Sequence, residues 1–87
     1  MNIEETIKDR HDKYGSYSDW ARITSELKRV LADNVASKDF NHIHAESLDM
    51  ILSKIARIIT GDPNLIDNWH DIAGYARLVE KEIKAPF

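Results

Sequence analysis

The chain has 87 residues, 12 basic against 15 acidic side chains, a net charge of −3 and no cysteine. A domain this short buries only about 60–65% of its unfolded surface, and without cysteine neither disulfides nor thiolate metal sites can reinforce the core, so oligomerisation is the expected route to further burial. The acidic balance excludes sequence-independent DNA binding through many phosphate contacts.

Three glycines and two prolines make the breaks few. Helix one is expected over about 3–14. Asn2 with Glu5 starts it as a capping-box-like pair, Ile3, Ile7, His11 and Tyr14 recur at helical spacing, and Gly15 suits a helix stop. His11 lies on that stripe and reads as a core histidine. Helix two is expected over 17–35 with an apolar stripe of Trp20, Ile23, Leu27, Val30 and Leu31. Residues 36–41 read as a loop. Helix three follows over about 44–60, its stripe formed by Leu48, Ile51, Leu52, Ile55, Ile58 and Ile59. Asp62-Pro63 fits a cap followed by the first helical position, placing helix four over 63–83 with Leu65, Trp69, Ile72, Ala76, Val79 and Ile83 inward. So short a link makes helices three and four antiparallel. The expectation is one all-α domain of about four helices in antiparallel hairpins, covering 1–87.

Helix four has a second organised face. At about 100° per residue, Asp67, Asp71, Gly74, Tyr75 and Leu78 fall together, outside the apolar stripe. Gly74 in a helix interior costs about 1 kcal/mol relative to Ala, a cost that close approach of a ligand or another backbone would offset. Across a turn at 62–63, facing residues have numbers summing to about 125. That sets Lys54 level with Asp71, and Arg57 level with residues 67–69. Two readings stay open for this cluster: a structural set of ion pairs, or a polar pocket for a charged small molecule, with Lys54 and Arg57 for phosphate and Tyr75 for stacking. Tyr14-Gly15 would then close over it. On the outer faces Met50, Ile66 and Leu78 form an apolar surface for a symmetric dimer or for another protein.

Histidine pairs at zinc-binding spacing, a glycine-rich phosphate loop and a nucleophile elbow are all missing, so no catalytic residue, metal ligand or cofactor is assigned. His70 is expected to point away from the carboxylate face. No apolar run approaches the roughly 20 residues of a membrane span, and Met-Asn-Ile-Glu-Glu lacks a signal-peptide pattern. A cytoplasmic protein is expected, without membrane or nucleic-acid partners.

Glu46-x-x-Asp49 with Asp67 and Asp71 resembles in part the helical nucleoside-triphosphate pyrophosphatases of the MazG type. That likeness implies paired acids holding Mg²⁺. Magnesium needs oxygen ligands at about 2.1 Å, whereas Asp49 and Asp67 are offset by roughly 13 Å along the hairpin axis at 1.5 Å per residue. Only a second subunit would bring the four acids together. More specific is the set Lys13-Tyr14-Gly15, Lys54-Ile55-Ala56-Arg57 and Asp67-Asn68-Trp69-His70-Asp71-Ile72-Ala73-Gly74-Tyr75-Ala76. It resembles a family of small helical proteins of unknown function encoded by phages and prophages, over about residues 8–80. The resemblance implies an accessory protein in the host-cell cytoplasm, and singles out Tyr14, Lys54, Arg57, Asp67, Asp71 and Tyr75 as ligand-binding residues. The leading expectation is a homo-oligomer that binds a nucleotide or other phosphorylated small molecule without catalysis and antagonises host defence. The alternatives are a Mg²⁺-dependent pyrophosphohydrolase with an intersubunit site and a protein-binding module.

Overall fold

A computed structural model describes residues 2–84, which fold into four helices: α1 (Ile3–Tyr14), α2 (Tyr17–Asn34), α3 (His42–Thr60) and α4 (Ile66–Lys84). Among the described residues there is no strand, and no helix is long and apolar enough to cross a membrane. The fold is all-α, as the periodicity predicts.

The caps explain the boundaries. The Asn2 side chain accepts from the Glu5 amide at 2.8 Å, and Ser16 accepts from the Asp19 amide at 3.2 Å. At α3 the Asn41 side chain accepts from the Ile43 amide at 2.8 Å, while His44 Nδ1 accepts from the Asn41 amide at 3.0 Å. This reciprocal cap starts the helix at His42, two residues before the expected position. Helix α4 differs more. The Asp62 carboxylate accepts from the Asn64 amide at 2.9 Å and its carbonyl from the Leu65 amide at 3.2 Å. Asp-Pro therefore closes a turn of its own, and the helix begins at Ile66.

Helix α3 is central. It packs against α2 on one flank and α4 on the other, and α2 and α4 do not touch each other. The Trp20 indole N–H donates to the Ser53 carbonyl at 3.1 Å, fastening α2 to α3. Helix α1 is laid against the ends of α2 and α3, and its attachment is a backbone crossing. Gly15, at φ +78°, would place a Cβ 1.7 Å from the Thr60 carbonyl oxygen, and a Cβ on Gly61 would lie 2.6 Å from Tyr14 Cα. Two glycines let the chains meet where no side chain fits. The Thr60 hydroxyl donates between the carbonyls of Tyr14 (3.0 Å) and Ala56 (2.9 Å), and the Asp62 amide donates to the Lys13 carbonyl at 3.1 Å.

The core is small. Among the described residues only Ala56, Thr24 and Asn68 are buried, and the Thr24 hydroxyl and the Asn68 amide nitrogen have no hydrogen-bond partner. Several residues expected inward are instead exposed: Ile3 and Ile7 of α1, Val30 of α2, Ile59 of α3, and Trp69 and Ile83 of α4; His11 and Ala76 are exposed as well. In α4 the residues turned toward α3 are Asn68, Ile72, Tyr75 and Val79, an arc rotated by roughly 70° from Trp69, Ala76 and Ile83 at 100° per residue. Trp69 folds back over the preceding turn, its indole N–H donating to the Pro63 carbonyl at 2.8 Å.

Candidate functional site

The hairpin register holds. Lys54 Nζ lies 2.9 Å from Asp71 Oδ2, with the lysine side chain 13% exposed and the carboxylate 42%. The hydrogen bond from Lys54 holds the Asp71 carboxyl below its ordinary value of 3.8; partial burial opposes this, and the nearby charges of Lys54, His70 and Arg57 assist it. Lys54 is thus occupied by an internal partner.

Arg57 takes a different course from the one its register predicts. Its guanidinium lies 4.9 Å from the centre of the Tyr14 ring and 5.7 Å from that of Trp20. Arg10, one turn before Tyr14 on α1, lies 5.1 Å from the same tyrosine ring. Tyr17 and Trp20 lie with ring centres 5.3 Å apart, tilted by 39°. Ile7, Arg10, His11, Tyr14, Gly15, Tyr17, Trp20 and Arg57 line a cleft of about 120 Å³. A guanidinium over a ring face contributes about 0.5–1 kcal/mol at exposed sites. Two of them on one tyrosine also concentrate positive charge in the cleft that the exposed Tyr17 helps to line.

The six residues singled out by sequence therefore separate. Tyr14 and Arg57 meet in the cleft between α1, α2 and α3. Asp71 and Tyr75 line a shallow concavity of α4 with His70, Gly74 and Leu78, so His70 lies on the carboxylate side and not away from it. Lys54 bridges toward that concavity through Asp71, and Asp67 is exposed. No Cβ contact lies within 4 Å of Gly74, so nothing in the chain itself makes the close approach suggested for it. Sequence reasoning missed Arg10 and Tyr17; Trp20, read as packing, does fasten α2 to α3 and lines the cleft as well. The signal available was the pair Arg10 and Tyr14, four apart on one helix face, next to a glycine stop that brings this end of α1 onto α3.

The acids of the MazG-like pattern do not fit a magnesium site within one chain. Among the described residues no three His, Asp or Glu side chains are grouped to hold a metal ion. What the cleft can do is receive an anion against its guanidinium groups and a flat ring against its aromatic faces.

No match was found for this chain among curated proteins, and none among solved structures. A family model does match, over residues 2–83, a span that takes in α1 to α3, α4 as far as Ile83, the glycine crossing and both concavities. The chain belongs to the DUF6378 family, a domain of unknown function.

Proposed function

We propose that this protein binds a nucleotide or another phosphorylated small molecule carrying a flat ring, and does so without catalysis. The observation that supports this reading is the pair of guanidinium groups, Arg10 and Arg57, on the Tyr14 ring beside Trp20. Arginine's planar fork suits phosphate oxygens, and the neighbouring ring faces suit a base. At about 120 Å³ the cleft is smaller than the roughly 300–1,000 Å³ of most ligand pockets. It takes one ring or one phosphoryl group, and the rest of the ligand extends over Arg10. The setting we propose is the host cytoplasm, as a phage or prophage accessory protein that acts as a homo-oligomer and counters host defence by sequestering such a ligand. The likeness of the Lys13–Gly15, Lys54–Arg57 and Asp67–Ala76 segments to phage-encoded proteins supports that setting.

A panel of nucleotides and cyclic nucleotides tests it by thermal shift. Binding to the native state alone adds RT ln(1 + [L]/Kd) to stability, so at least one compound raises the melting temperature, and Arg57→Ala abolishes the rise. No shift with any compound ends the proposal. Pyrophosphate release that requires Mg²⁺ would replace it with the hydrolase reading.

A further inference from the structure

Three helices side by side make a single layer, with α2 and α4 on opposite flanks of α3. Helices bury an apolar stripe only against another layer, and domains are built from at least two. Rotation at about 100° per residue shows what each surface of this layer carries. On α3, Leu48, Ile55 and Ile59 share one arc, and Met50 and Arg57 lie on the opposite one. Because α2 and α4 run antiparallel to α3, their sense of rotation reverses. Ile23 and Val30 of α2, and Trp69, Ala76 and Ile83 of α4, then fall on the same side as Ile59. This side is bare: Val30 is 62%, Ile59 60%, Trp69 53% and Ile83 65% exposed. A groove of about 280 Å³ between α3 and α4 counts Leu48 and Ala76 of this side among its lining residues. The cleft and the Lys54–Asp71 pair belong to the other side, with Arg57.

The size of the deficit is measurable. The chain exposes 6555 Å², roughly 1,300 Å² more than the about 5,200 Å² of an ordinary folded monomer of its mass. Its radius of gyration is 15.1 Å, against about 12 Å for a compact chain of this length. A standard interface removes about 800 Å² from each partner, and obligate homodimers remove more. The missing burial therefore matches an interface.

We propose that the apolar side of the α2–α3–α4 layer is an obligate homodimer interface, packed face to face on a second copy about a two-fold axis. The occupant follows from the deficit. A layer with so little core of its own needs its cover in order to fold, and a second copy is the partner always made alongside it. Two layers then form one six-helix domain with both clefts on its outer sides.

Sedimentation equilibrium and thermal unfolding over a hundredfold range of concentration test this with the unmodified chain. The expected mass is twice 10.0 kDa, with a melting temperature that falls by several degrees on each tenfold dilution. Ile59→Glu and Trp69→Glu remove the dimer, whether they leave a monomer or an unfolded chain. Met50→Glu and Leu78→Glu, on the opposite side, keep the mass. A monomer whose unfolding is independent of concentration overturns the proposal. So does a dimer that survives Ile59→Glu and is lost with Leu78→Glu.

Discussion

The two sides of the α2–α3–α4 layer are made from the same helices and are finished to different degrees. On the Arg57 side the contacts close within the chain. Lys54 meets Asp71, Arg57 meets Tyr14 and Trp20, and the end of α1 is locked onto Thr60 and Gly61. On the Ile59 side large apolar residues are left more than half exposed. Lys54 and Arg57 find partners at the level of one chain because such interactions are local and directional. An apolar face has only area to offer, and area needs a second surface.

The most damaging way to break the finished side is at its backbone crossing. Gly15→Ala combines a left-handed φ with a Cβ 1.7 Å from the Thr60 carbonyl oxygen, so either the crossing opens or α1 is displaced. A loss of roughly 2–4 kcal/mol is expected, within the range of strain and overpacking effects. Gly61→Ala follows closely, its Cβ being 2.5–2.7 Å from the backbone of Lys13 and Tyr14. Helix α1 has no buried residue, so hydrogen exchange should show α1 losing protection while α2, α3 and α4 keep theirs. Uniform loss along the chain would mean that the crossing supports more than α1.

Ligand affinity probes the same side more gently. Arg57→Lys keeps the charge and loses the plane that lies over Tyr14 and Trp20. Calorimetry with the best compound of the nucleotide panel should show affinity falling about tenfold, equivalent to about 1.4 kcal/mol, with little change in melting temperature. Equal affinity would mean that only the charge matters.

These outcomes bear on how much the sequence discloses. Helix bounds were legible at the caps Asn2, Gly15 and Ser16, whereas the Asn41–His44 cap starts α3 two residues before the expected position. The start of α4 was not legible, because Asp62-Pro63 serves equally as a cap or as a free-standing turn, and the Asn64 and Leu65 amides decide for the turn. The Lys54–Asp71 contact is the one that the hairpin register sets level. Trp69 was misplaced for a more general reason. The apolar stripe of α4 spans two faces, and only the part through Ile72 and Val79 is half-buried, while Trp69, Ala76 and Ile83 stay exposed. A wheel weighs both parts together and centres on neither. Asn68, polar and yet 1% exposed, lies where that averaging cannot find it. The cleft was half legible. Tyr14 and Arg57 stood out, but their meeting depends on a long-range crossing of two glycines that no helical period encodes.

The Lys54–Asp71 pair offers a smaller, pH-dependent test. Asp71 titrates below its ordinary value of 3.8 in the folded chain because Lys54 hydrogen-bonds its carboxylate. Its contribution is therefore complete above the unfolded value and disappears as pH falls through the folded one, below about pH 4. Asp71→Asn should lower the melting temperature at pH 7, and the difference should shrink steadily as pH is lowered below 3.8. Lys54→Met keeps the packed stem and removes the charge, and it should stay within about 1 kcal/mol of the unmodified chain. If the two variants are equally damaging at pH 7, the largely buried ammonium is not what makes the loss of Asp71 costly.

The smallest effect comes from Gly74, and its sign is the informative part. No atom lies within 4 Å of where its Cβ would stand, and it occupies the interior of α4. Gly74→Ala should therefore raise stability by about 0.5–1 kcal/mol, through restriction of the unfolded chain and better helix propensity. The residue faces the concavity with Asp71 and Tyr75, away from Ile83 and the bare side, so the mass of the assembly should not change. A ligand that extends from the Arg57 cleft across Asp71 would meet the new methyl group. The stabilised variant should then bind its nucleotide more weakly, and denaturant titration paired with calorimetry reads both quantities. Greater stability with undiminished affinity would confine the ligand to the cleft between α1, α2 and α3. A fall in stability would instead reveal a neighbour at Gly74 that a single chain does not possess.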